Sequence, residues 1–196
     1  MKNILSIVLV AIFFSCTEKK ENANSNIEIN KQENLDEVVL INPCDLVSIE
    51  DIATTFGADV TTMESYTRNP YPDTNRCEFT WNVPQDVTKA SQIMITISSN
   101  LEMEDMPRKF SNILRMDKEK GVLGSQQQII KPTPIDGFGT NGYHWVEPDF
   151  QNVQKIKFQL NEAYLVEVLF NSSGTVNSEE IKEKLLQIGK NIKQKI

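Results

Sequence analysis

Between Cys77 and Val83 the side chains alternate without a break: Cys, Phe, Trp and Val at every second position, with Glu, Thr and Asn between them. A period of two places the apolar set on one face of an extended chain and the polar set on the other. That is a half-buried antiparallel strand, and it excludes a helix. Pro84 ends it, because proline has no N–H to give to a ladder. Ile93–Ser98, Val153–Leu160 and Tyr164–Phe170 read the same way, the last two joined by the tight Asn161-Glu162-Ala163. Tyr143–Glu147 and the shorter Gln128–Lys131 add to the set. Val38–Ile41 and Val60–Tyr66 are expected as further strands, and 67–75 as a loop by its prolines and Asx residues.

Three segments carry the helical period instead. Ser48 and Asp51 approximate a capping box ahead of Ile49, Ile52, Ala53 and Phe56, and Gly57 is a natural left-handed stop. A second helix is expected from Glu104 to Lys120, with Pro107 in its first turn and Phe110, Ile113 and Leu114 on its inner edge. Ser178 opens the third, with Ile181, Leu185, Ile188 and Ile192 on one face. The expected fold class is therefore α+β: an antiparallel β-sheet with helices packed on it. The order suggests two strand-strand-strand-helix halves, with no repeat in the sequence itself.

The N-terminus bears on location. Met1-Lys2-Asn3 is a short positive start, Ile4–Phe14 is apolar except for Ser6, and Cys16 follows Ser15. The run is too short to cross a hydrocarbon core of ~30 Å, which takes about 20 residues. It resembles a bacterial lipoprotein signal peptide, with Ser15 as the small residue before the cysteine. Phe13 departs from the leucine usual at its position. The resemblance implies that residues 1–15 are removed and that Cys16 becomes a lipidated N-terminus. It places the protein in the cell envelope, lipid-anchored to a membrane and facing the periplasm or the exterior. Residues 16–41, polar and without Gly or Pro, are expected to form a flexible tether of about 25–30 Å. The single domain then spans 42–196, long enough to bury a core of its own.

A net charge of −7 at pH 7, with the basic residues scattered, excludes nucleic acid as a partner. It also gives no attraction to anionic headgroups, so the membrane is held through the lipid. In the oxidising compartment that such a signal implies, Cys44 and Cys77 are expected to pair. Their disulfide would close a loop of about 30 residues, a constraint of roughly 3–4 kcal/mol by chain entropy.

Several motifs resemble known chemistry, and their context decides each. Gly137 to Gly142 spells G-x-G-x-x-G, but Pro132 and Pro134 precede it and the strand-like Tyr143–Val146 follows. A dinucleotide fingerprint needs a strand before it and a helix after it, so this is a turn feeding a strand. His144 is the only histidine; it excludes a His-based metal cluster and is expected at or near the surface, facing away from Tyr143 and Trp145. Asp73-Thr74-Asn75 opens like a calcium loop, yet Pro84 stands where the bidentate Glu belongs. Glu102, Glu104 and Asp105 suit a helix N-terminus. No catalytic set, metal site or cofactor motif emerges. Tyr71, Phe138, Tyr143, Trp145 and Phe150, placed in loops or beside them, are the candidate ligand-binding residues, while Trp81 reads as core.

A second resemblance is to exported lipoprotein domains of unknown function. It rests on Pro43-Cys44-Asp45-Leu46, the helix to Gly57, Cys77-Glu78-Phe79-Thr80-Trp81, and the Gly137–Trp145 turn and strand. It implies an α+β domain bridged between Cys44 and Cys77, and no activity. The functional reading is non-catalytic binding or assembly in the envelope, with an envelope protein or glycan as partner. The alternative is an envelope hydrolase or carbohydrate-active enzyme whose site the sequence does not reveal.

Overall fold

The computed structural model describes residues 38–83, 86–101 and 109–196. The expectations for the leader, Cys16, the tether up to residue 37 and the helical turn holding Pro107 lie outside the described residues. The architecture is α+β. The strands are β1 (Glu64–Tyr71), β2 (Thr74–Val83), β3 (Asp86–Ser99), β4 (Val122–Leu123), β5 (Ile129–Ile130), β6 (Thr133–Pro134), β7 (Tyr143–Glu147), β8 (Phe150–Gln159) and β9 (Tyr164–Ser172). The helices are α1 (Ile49–Phe56), α2 (Lys109–Lys120) and α3 (Ser178–Lys195). Seven strands make one antiparallel sheet in the order β1-β2-β3-β9-β8-β7-β6, and β4 with β5 forms a separate hairpin.

Register explains the two faces. Phe79 lies opposite Ile93, and Ile93 opposite Phe170; Cys77 pairs with Ile95, and Ile95 with Val168. On β8, Ile156 continues the second row, and Phe158 lies opposite Val166, which pairs with Ile97. All of these are buried, and Ile52, Ile181, Leu185, Ile188 and Ile192 of α1 and α3 close over them. The opposite face is covered on its β7–β8 side by α2, whose Phe110 and Leu114 pack with Tyr143, Trp145, Leu165 and Ile130. Tyr143 donates to Asp117 Oδ2 at 2.8 Å, and Lys157 reaches the same oxygen at 3.2 Å, which ties α2 to the sheet. Strand order thus repeats as β1-β2-β3-α2 and β7-β8-β9-α3, but the two helices lie on opposite faces.

The local signals for helix α1 act as the sequence implies. Ser48 Oγ accepts from Asp51 N–H, the Asp51 carboxylate accepts from Ser48 N–H, both at 3.1 Å, and Gly57 takes φ 66°. Three expectations change. Residues 67–75 are not a loop: β1 continues to Tyr71 and turns at Pro72-Asp73 into β2. Pro70 is tolerated because β1 is an edge strand and its register slips between Arg68 and Tyr71. Val60–Thr62 is a 3₁₀ turn capped by Asp59, and β1 begins only at Glu64. Val38–Ile41 belongs to no strand; Tyr164 donates its hydroxyl to Val39 O at 3.0 Å.

Cys44 and Cys77 are bonded, across a sequence separation of 33. Cys44 sits in a 3₁₀ turn, Pro43–Asp45, that Asn42 caps, and Cys77 is wholly buried on β2. The bond fastens the segment leading into α1 onto the middle of a strand. Removing it in a Cys44→Ser/Cys77→Ser protein should cost about 2–5 kcal/mol. At roughly 2–4 °C per kcal/mol the melting midpoint should fall by some 4–20 °C, and an unchanged midpoint would refute the structural role.

Gly189 of α3 lies close against Phe138 and against Ile156 of β8. A Cβ there would meet Phe138 Cε1 at 2.7 Å and Ile156 Cδ1 at 2.9 Å. Alanine favours a helix interior over glycine by about 1 kcal/mol, while overpacking a core costs about 1–3 kcal/mol. Packing should win. Gly189→Ala is expected to lower stability by about 1–2 kcal/mol in denaturant unfolding; a gain would mean that the ring and the isoleucine yield.

Candidate functional site

The five aromatic residues singled out from sequence do not form one surface. Phe138, Tyr143 and Trp145 are buried: Phe138 packs on Phe158 with ring centroids 4.7 Å apart, and the other two lie under α2. Their glycine-rich neighbourhood suggested loop exposure, but the turn with Gly137 at φ 80° and Gly139 at φ 76° folds Phe138 inward. Tyr71 and Phe150 are exposed. They stand at opposite corners of the sheet, because the Tyr71 end of β1 aligns through Thr74, Ser98 and Leu165 with the far end of β8 from Phe150. Cys44 and Cys77 are joined, as described.

His144 is buried rather than superficial. It faces away from Tyr143 and Trp145, as period two requires, and its Nε2 lies 3.0 Å from Gln154 Oε1. Gln154 is itself fully buried and donates through Nε2 to Ser178 Oγ at 3.0 Å, in the first turn of α3. With Gln154 Oε1 as acceptor, His144 carries its proton on Nε2. Burial holds the imidazole below its ordinary 6.5; the Gln154 bond and Glu179 oppose this, and Lys182 adds to it. The pair is a structural link between β7, β8 and α3.

A cleft of about 390 Å³ opens instead where β9 leaves the sheet, and it is built from five parts of the chain. Trp81 of β2 and Phe170 of β9 make its floor, and Phe56, the last residue of α1, makes one wall. Phe56 and Phe170 stack with centroids 5.4 Å apart and planes 3° from parallel, and Trp81 meets Phe56 at 5.3 Å and 48°. Val176 and Ile181 add apolar surface, while Lys89, Thr175, Asn177, Glu180 and Lys184 supply the polar rim. Lys184 Nζ lies 5.4 Å from the centre of the Phe56 ring and 2.6 Å from Glu180 Oε1. Ser91 and Ser172, both buried, line the cleft together; Ser91 Oγ donates to Ser172 Oγ at 2.9 Å, and Gly174 N–H donates to the same oxygen at 3.0 Å. The α3 N-terminus is already satisfied, since Asn177 Oδ1 accepts from Glu179 and Glu180 N–H.

Sequence pattern marks Phe56 and Trp81 only as apolar positions. Polar Asn171 to Thr175, between an apolar strand and a helix, is a signal for an exposed turn, but nothing local says that α1 ends against it. Among the described residues no cluster of three or more His, Cys, Asp or Glu side chains could hold a metal ion. No protein-family model, curated protein or solved structure matches the chain.

The buried histidine generates a pH test. A lowered pKa means that the folded protein binds this proton less well than the unfolded chain does. Stability is therefore complete above about pH 6.5 and declines as pH falls below it. Between about pH 7.5 and 5.5, above the ordinary carboxylate range, the wild type should lose more stability than His144→Gln. Equal losses in parallel denaturant titrations would show that His144 does not carry the effect.

Proposed function

We propose that the chain is a lipid-anchored envelope protein whose folded domain binds a ligand rather than transforming one. The observation that carries the binding reading is the cleft beside α3. Its size falls in the range of small-molecule sites, roughly 300–1,000 Å³, and its lining has the apolar walls with a few polar groups that such sites use. The anchoring half rests on the first sixteen residues, with Cys16 as the lipidated position. The Cys44–Cys77 disulfide supports it, being a bond that persists in oxidising compartments.

Each half has its own test. Mass spectrometry of membrane-extracted protein should find Cys16 as an acylated N-terminus, and Cys16→Ser should release the protein from the membrane. An unmodified N-terminus elsewhere would overturn the anchor. For the cleft, a photo-crosslinking benzoylphenylalanine placed at Thr175 should give an adduct in intact cells that the same group at Ser65, on the exposed edge strand, does not. Identical products at both positions, or none at Thr175, would overturn the binding role.

A further inference from the structure

We infer that the β4–β5 hairpin and the β7–β8 turn form a corner that rests in the interface of the membrane holding the chain. The inference rests on the anchoring half of the reading above and names the surface that the folded domain turns to the bilayer.

The hairpin is apolar on both faces. Val122 and Ile130, directly opposite each other, pack inward with Phe110, Leu114 and Trp145. The next pair, Leu123 and Ile129, therefore points outward. These two are 66% and 61% exposed. A strand with one buried face ordinarily carries polar residues on the other, so the core does not account for this pair. Single exposed apolar residues are normal, whereas neighbours presented together mark a surface that something covers.

Phe150 stands at the same corner. Glu147 accepts from Ser125 N–H at 3.2 Å and from the Gln128 side chain, both at the hairpin tip. Phe150 is the residue opposite Glu147 across the β7–β8 turn, and it is 46% exposed. Gly124 N–H donates to Gln128 O at 2.8 Å, and Gln127 closes the tip at φ 62°. The three apolar side chains are thus carried by backbone that the fold already holds in place.

Charge and reach fit a bilayer. Lys120 and Lys131 flank the outward pair in sequence, and Lys131 Nζ donates to Glu119 O at 2.6 Å, at the end of α2. Glu119 is paired with Arg115, Glu147 is buried, and Asp149 is the exposed carboxylate beside Phe150. The two lysines against Asp149 and Glu147 leave the corner near neutral in a chain of net charge −7. It carries none of the excess that would hold it off an anionic surface. Lysine stems lie along apolar surface while their ammoniums reach headgroup phosphates, and interfacial side chains sink about 5–10 Å. Val39 is held by Tyr164, at the end of β9 far from Phe150. A strand of nine residues runs about 30 Å, and the tether expected ahead of residue 38 spans about 25 Å, enough for the domain to lie over until this corner meets the surface.

The test uses the lipidated full chain, extracted from membranes and reconstituted in vesicles of brominated phosphatidylcholine and phosphatidylglycerol. Bromine quenches a tryptophan only at contact, and the native Trp81 and Trp145 are buried. Leu123→Trp and Phe150→Trp should each be quenched at least about twofold more than Ser65→Trp, on the exposed edge strand. Adding Leu123→Asp/Ile129→Asp should bring the Phe150→Trp protein down to the Ser65→Trp level. Quenching at neither corner position in protein that floats with the vesicles would overturn the inference and leave the anchor standing. Unquenched but blue-shifted emission from Leu123→Trp would give the corner to another protein or a second copy, and equally overturn it. Protein that does not float with the vesicles would overturn the anchor and this inference together.

Discussion

The pairing of β3 with β9 is the interaction on which the rest of the structure depends. It joins the β1-β2-β3 meander to the β7-β8-β9 meander, and nine successive residue pairs run from Ser91–Ser172 to Ser99–Tyr164. Ile93, Ile95 and Ile97 face Phe170, Val168 and Val166 across it, each at most 2% exposed. Neither meander alone could bury these rows. The seam is also non-local in the chain, so its loop-closure entropy must be offset by burial along its whole length. An antiparallel seam of this kind carries an approximate two-fold axis normal to the sheet, which would place both following helices on one face. Here α3 covers the isoleucine face and α2 the other. The likeness of the two halves is therefore one of strand order, and the fold uses it to close a core on both sides.

The cleft is a consequence of the same seam. β3 and β9 are still paired at Ser91 and Ser172, and beyond them Ser173 holds on to Ala90 through Ser173 N–H to Ala90 O at 3.0 Å. The chain then needs Gly174 to Asn177 to climb from the sheet to the start of α3. That climb leaves space above Trp81 and Phe170 which α1, only eight residues long, fills no further than Phe56. Gln154 and His144 hold the first turn of α3 from the far side through Ser178. The site is thus a gap between two helix ends, with its polar groups fixed by hydrogen bonds that also hold the fold together.

Most of the sheet and all three helices are legible in the sequence, because each is written in a local period. Cys77 to Val83 alternates and is β2; Tyr143–Glu147 is read to its exact bounds. The misreadings share a cause. Pro70 looks like part of a loop until one knows that its strand lies at a sheet edge, where a missing N–H costs nothing in the ladder. Phe138 and His144 look superficial until α3 and β8 are packed over them. For Phe138 and His144 the deciding fact is a neighbour ten or more residues away, and for Pro70 it is the place of its strand in the sheet, none of which a local window contains.

The site is the extreme of that limit. Phe56, Trp81, Ser91, Phe170 and Lys184 come from α1, β2, β3, β9 and α3, and no two of them lie within nine residues of each other in the chain. Each has an ordinary local role, as the last apolar residue of a helix, a core strand position or a solvated helix face. Their joint property, a charged rim above an apolar floor, exists only once the seam has closed. Chemistry assembled in this way has no motif.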